Sequence, residues 1–305
     1  MPIDRSTLIT GPALVTFNSV AMYTVGDIVV TLEREVQRRN ISAHGDVGAD
    51  TMDRFFRVSF TPMSKISYLA TLWPYASTLQ GASLFTGTDR PLTIHTLSGT
   101  LYTFKAAANI KPPELNFGAG QDLYGSVDFL CIQQNNTAWS TADSLLAVTS
   151  SAFSDTSFVP ADIVRQSYTA TWGASPFDSF RSKEGFKVTP NLETNALTID
   201  EMGMIDHRFA SFRCGVRGIP LLATEAGPLT RLAIQGGSAA RGRSLQADSA
   251  DFVLTGTGLT FTINSAAMID AGYMFGAIPL RHGEVGWEST REFAAGAAQP
   301  IFTIA

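Results

Sequence analysis

Gly99-Thr100-Leu101-Tyr102-Thr103-Phe104-Lys105-Ala106-Ala107-Ala108-Asn109-Ile110 recurs in outline as Gly258-Leu259-Thr260-Phe261-Thr262-Ile263-Asn264-Ser265-Ala266-Ala267-Met268-Ile269, an offset of 159 from 99 to 258. Each copy opens on a glycine, carries aromatic or aliphatic residues beside threonine, and passes into a run of small residues. Working outward, Gly125-Ser126-Val127-Asp128-Phe129 matches Gly283-Glu284-Val285-Gly286-Trp287 at an offset of 158. Phe56-Arg57-Val58-Ser59-Phe60 lies over Phe212-Arg213-Cys214-Gly215-Val216 at 156, Gly26 with Val29 over Gly185 with Val188 at 159, and Thr16-Phe17 over Thr171-Trp172 at 155. Anchors in one order at a nearly constant spacing are the mark of an internal repeat. They predict a tandem duplication with halves near 10–133 and 165–292.

The domain organisation expected is therefore a first unit over 1–133, a connector rich in Ser, Thr, Ala and Asp over 134–166, and a second unit with a C-terminal arm over 167–305. One short ordered piece is expected inside the connector, at 144–148. At the end of the chain, Pro300-Ile301-Phe302-Thr303-Ile304 alternates like a strand that docks on a neighbouring sheet.

The 26 glycines and 14 prolines punctuate short stretches of Val, Ile, Phe and Thr, the pattern of strands joined by turns. Residues 13–17, 28–34 and 54–61 read as strands, the last stopped by Pro62. Ser64 is placed as a helix N-cap, with Ile66, Leu69, Ala70 and Trp73 at helical spacing before Pro74. Residues 92–96 and 100–104 flank Leu97-Ser98-Gly99 as a β-hairpin, and 125–132 supplies a last strand. The fold class expected is mainly β: two tandem antiparallel β-sandwich or barrel units, each with a short flanking helix. In the second unit the helix region, 221–232, is interrupted by Gly227-Pro228. Residues 37–53 and 193–206 read as long loops at equivalent places, and loops of that length are commonly there to make contacts.

Composition narrows the function. Charged residues are 16% of the 305 and hydrophobic ones 45%, against a usual charged share of about 25%, so partner molecules are expected to cover part of the surface. A net charge of −5 argues against a protein that grips phosphates. The two cysteines, Cys131 and Cys214, are too few for a disulfide scaffold and read as small hydrophobes in core strands of a reducing compartment. Residues 1–10 carry Asp4 and Arg5 without an apolar stretch behind them, and no run of about 18 apolar residues follows, so the chain reads as soluble and non-exported.

Catalytic constellations are not visible. The four histidines, His44, His95, His207 and His282, are dispersed, without HExxH or another metal-ligand spacing. Gly236-Gly237-Ser238-Ala239-Ala240 lacks the closing glycine of a nucleophile elbow, no phosphate-binding loop occurs, and Gly256-Thr257-Gly258 belongs to a hairpin. The carboxylates Asp200-Glu201 have no pocket that sequence can define. Arg38-Arg39 and the pair Arg241 and Arg243 lack aromatic interleaving and read as partners in subunit contacts. No enzyme, metal site or cofactor is expected. With little charge guarding strand edges, edge-to-edge assembly is the natural outlet.

The strand pair Val29-Val30-Thr31-Leu32-Glu33 and 54–61, the helix at 64–73, and Pro91-Leu92-Thr93-Ile94-His95-Thr96-Leu97-Ser98-Gly99 running through Pro112-Pro113-Glu114-Leu115 to Gly125-Ser126-Val127-Asp128-Phe129 together resemble the tail tube proteins of long-tailed bacteriophages. The resemblance spans nearly all of the first half and, more loosely, the second. It implies tail-tube-type domains set six to a ring, with rings stacked into a hollow tube that conducts DNA, other tail proteins (terminator, tape measure, tail tip) as partners, no membrane anchor, and residence in the virion after assembly in the host cytoplasm. Most members carry one domain and form hexamers; two domains here imply a trimer that is pseudo-hexameric. The net negative charge suits a conduit that lets DNA slide. Inter-ring contact is expected from the two loops, at Arg38, Arg39, His44, Asp46 and Asp50 in one and Asp200, Glu201 and Asp206 in the other. Two alternatives stay open: a tail-tip or baseplate ring of the same fold, and a glycan-binding adhesion module using exposed Trp73, Trp139, Trp172 or Trp287.

Overall fold

Antiparallel strands make up most of the chain, and the reason lies in the alternation that the sequence carries wherever one face is buried. Strand β1 (Ala13–Phe17) turns Val15 and Phe17 into the core. It pairs with β2 (Val20–Met22) and with β5 (Leu92–Thr96), which is joined through Gly99 at φ 85° to β6 (Thr100–Phe104). The computed structural model describes residues 13–42, 45–85, 90–133, 145–154, 166–173, 177–199, 203–221, 249–273, 282–290 and 300–305. Within the stretch read as a connector, β10 (Leu146–Ser150) adds to β6, so the first sheet runs β10-β6-β5-β1-β2.

A second sheet, of four strands, faces it. Strands β3 (Thr24–Ile41) and β4 (Gly45–Pro62) form one long hairpin, and β9 (Val127–Ile132) and β7 (Ala106–Lys111) complete the order β3-β4-β9-β7. Phe17 meets Phe129 edge-on at 4.7 Å across the gap, and Phe56 meets Phe104 at 5.3 Å, the packing that two sheets' inner faces favour. The loop expected at 37–53 is thus mostly strand. Gln37, Arg38, Gly48 and Ala49 are exposed, so at these positions nothing imposes the apolar alternation by which a strand is recognised.

The second half joins its strands into a single sheet. Strands β11 (Thr169–Trp172), β14 (Ala250–Gly256), β15 (Leu259–Tyr273), β16 (His282–Ser289), β13 (Gly203–Leu221) and β12 (Arg181–Ile199) follow in that order, with β8 (Leu115–Phe117) from the first half on the outer edge of β12. Strand β17 (Phe302–Ile304), the alternating tail, pairs with β15 of the same chain. Residues 193–206, also read as a loop, fall within the β12–β13 hairpin apart from 200–202, which lie outside the described residues.

Register repeats between the halves in detail. Val30 opposite Val58 corresponds to Val188 opposite Val216, and Val58 opposite Phe129 to Val216 opposite Trp287. These pairs place Val58 over Val216 and Val30 over Val188, an offset of 158, and correct the alignment of 56–60 by two residues and that of Val29 with Val188 by one. A register shift between Asn109 and Lys111 on β7 recurs between Met268 and Asp270 on β15. Leu146 beside Phe104 corresponds to Phe302 beside Ile263, so β10 and β17 close their halves in the same way.

One hydrophobic core passes through both halves. The predicted helix contributes a 3₁₀ turn (Ile66–Tyr68) and a single α-turn, α1 (Leu69–Leu72). Ser64 does not cap it: its hydroxyl donates to Asp122 and accepts from the Leu123 N–H, so the turn is tied to the following loop. Trp73, just after α1, points into the second half against Phe212, Phe261 and Phe302 at 5.4 to 5.7 Å, with its indole N–H on the Pro113 carbonyl. The corresponding region 222–232 lies outside the described residues.

Candidate assembly interface

The two long hairpins carry the residues that sequence analysis assigned to contacts. Near the sheets each is anchored by apolar side chains: Val58 and Phe60 on β4, Phe186 and Val188 on β12, Phe212, Cys214 and Val216 on β13, all buried. Away from the sheets the hairpins leave the core, and Val36, Leu197 and Ile199 stand exposed. The hairpins run side by side. Asp53, buried on β4, accepts the Met204 N–H of β13 at 3.0 Å and the Arg54 N–H at 2.7 Å, charge-assisted bonds that satisfy a carboxylate out of solvent. Between them lies a cleft of about 630 Å³ lined by Glu35, Val36, Gln37, Asp53, Thr198, Ile199 and Gly203.

Arg38 is exposed on β3, opposite Ala49, and Arg39 follows opposite Gly48. Asp46 and Asp50 stand on β4 opposite Asn40 and Gln37. Arg38, Arg39, Asp46 and Asp50 thus share the distal part of the β3–β4 hairpin. His44, Asp200 and Glu201 lie outside the described residues. Asp206 is buried, and its carboxylate accepts from the Ser83 hydroxyl at 2.6 Å and pairs with Arg208 at 3.2 Å, so it holds residues 83–84 against β13 instead of facing outward. Next to it His207 meets Thr194 at 2.9 Å, and burial holds its imidazole below its ordinary pKa of 6.5.

Sequence reasoning missed Asp53 and the cleft, since a buried carboxylate in a polar stretch leaves no periodic signal. The tryptophans argue against a glycan site: Trp73, Trp172 and Trp287 are each 1% exposed, while Trp139 lies outside the described residues. Both cysteines are buried and free, and burial pushes their thiols far above the ordinary range, which removes them as nucleophiles. Among the described residues no cluster of His, Cys, Asp or Glu is placed to hold a metal ion, and no helix is long and apolar enough to cross a membrane. No family model matches the chain, and no curated protein is significantly similar to it.

Proposed function

We propose that the chain is a structural virion protein: a tandem duplication of a tail-tube-type β domain, three copies of which form a pseudo-hexameric ring that stacks into the hollow tail tube of a bacteriophage. The repeated register carries the reading. A chain whose halves share strand pairing, bulge position and closing strand presents near-equivalent units, and three copies of two such units supply the six positions that the resemblance implies. The paired hairpins, leaving the core with exposed Val36, Leu197 and Ile199, support the second part, contact between successive rings. The net charge of −5 supports a lumen from which phosphate is repelled.

Negative-stain electron microscopy with the solution mass measured alongside tests this. Hollow tubes, or rings of trimer mass with six lobes, are the expected result, and a two-lobed monomer persisting at high concentration would refute it. Deleting 37–50, the distal part of the first hairpin, is expected to leave rings and stop tube growth.

A further inference from the structure

Strand β8 leaves the first half and pairs with the edge of β12, Leu115 opposite Val188, Asn116 opposite Lys187 and Phe117 opposite Phe186. It completes a wall of the second half's core. Phe117 packs edge-on to Tyr168 at 4.8 Å and against Phe261 at 5.6 Å, and Lys187 reaches Glu114 at 2.6 Å. Phe186 and Val188 are consequently 2% and 0% exposed.

At an offset of 158 the counterparts of Phe186, Lys187 and Val188 are Ile28, Val29 and Val30 on β3. Strand β3 ends its sheet, with β4 as its neighbour on one side and no described strand on the other. Val29 is 54% and Val30 43% exposed. Behind them opens a groove of about 680 Å³ whose apolar wall is Ile28, Val30, Ile94, Tyr102, Phe104 and Leu146. Tyr102 is the counterpart of Phe261, the residue that Phe117 packs on. Glycines sharpen the match. At Gly185, φ +86°, a Cβ would meet the Gly118 Cα at 2.6 Å and the Phe117 carbonyl at 2.7 Å, so a side chain is excluded by β8 itself. Gly26 repeats that left-handed conformation at φ +78° with nothing within 4 Å of the same position.

We infer that the free edge of β3 and the groove behind it receive a strand from a second copy of this chain, as β12 receives β8. The occupant follows from the repeat. The first half lends its strand to the second; the second half's equivalent segment continues past Tyr273 into 274–281, which lie outside the described residues, and by the repeated step the half it would serve is the first half of another copy. That segment's sequence carries the same triplet, Phe275-Gly276-Ala277 for Phe117-Gly118-Ala119, again at 158. Register transfers directly: position 273 of the second copy opposite Val30, 274 opposite Val29, 275 opposite Ile28. Backbone bonds along the edge supply affinity and the phenylalanine in the groove supplies specificity. Each copy gives at one end and receives at the other, a heterologous contact that closes into a ring when the rotation permits and grows as a filament otherwise. The inference rests on the duplicated-ring reading for its closure, but the contact itself does not require a tube.

The test is a double variant, Val29→Cys with Met274→Cys, in the full chain, oxidised at assembling concentrations and run on a non-reducing gel beside each single variant. Cys131 and Cys214 are buried and stay silent. Covalent multimers up to a closed trimer from the double variant alone are expected. Val30→Asp is the second arm: it is expected to raise the concentration needed for assembly at least tenfold while leaving the circular dichroism and melting of the dissociated chain unchanged. Rings that form without cross-links, and that tolerate Val30→Asp, would overturn the inference and leave the ring reading standing. Cross-linked open ladders without rings would support the contact and overturn the tube. A cross-link formed within a single chain, or a monomer at every concentration, would overturn both.

Discussion

The first half closes its core with two sheets of five and four strands, whereas the second uses one sheet of eight, although their pairings correspond except at β2, whose place is taken by a single bridge between Ala170 and Phe180. Two local differences account for this. In the first half the chain breaks between β6 and β7 at Lys105, while β15 runs on through Ser265, held at φ 57° with its N–H on Asp251. The second half also borrows β8 and Trp73 from the first, and among the described residues the first half receives no comparable strand. Similar sequences thus reach different completeness because connectivity, not propensity, decides which unit is supplied with its last strand.

Matched substitutions at corresponding positions measure that difference. Phe117→Ala removes the ring that fills the second half and is expected to cost about 3 to 5 kcal/mol in denaturant unfolding, the largest effect. Val188→Ala is expected to cost about 2 kcal/mol against well under 1 kcal/mol for Val30→Ala in the dissociated chain, because only the first valine is fully buried. Equal costs would mean that β3 is already covered in the single chain. Gly185→Ala adds a collision with the β8 backbone to left-handed strain, about 2 to 3 kcal/mol together. Gly26→Ala carries the strain alone, about 1 kcal/mol.

Much of this architecture was legible in sequence. The hairpin around Leu97-Ser98-Gly99, the strands at 13–17 and 54–61, and the repeat itself follow from alternation and glycine placement. The hairpin segments at 37–53 and 193–206 were not: Gln37, Arg38 and residues 195–199 are exposed, and a ribbon without a buried face there has no reason to alternate. Strand β8 was hidden for another reason: three residues carry no period, and its partner lies about seventy positions away in the other half. The one sequence signal for it was the Phe-Gly-Ala triplet at 117–119 and 275–277 together with the paired glycines at 26 and 185. The helix turn was legible through Pro62 and Pro74, but its destination in the second half's core was not.

Smaller effects refine the same contrast. Lys187→Ala breaks the ion pair with Glu114 at the lent strand, but both side chains are about half exposed, so no more than about 1 kcal/mol is expected, shrinking with added salt. His207 gives the weakest signal. Burial disfavours its charged form, opposed by Asp206 and reinforced by Arg57, so the unfolded chain takes the proton first as pH falls below about 6.5. Stability is then expected to decline through that window and level off below the folded-state value, and His207→Gln is expected to remove that part of the pH slope in thermal melts.

Amide hydrogen exchange compared between β3 and β12 tests the central claim most directly. In the dissociated chain the amides of 186–188 should all be protected, whereas those of 28–30 that point away from β4 should exchange quickly, and on assembly these should fall to the rate of their counterparts. Protection of the outward amides of 28–30 already present in the monomer, or their rapid exchange persisting in the assembled protein, would contradict the account.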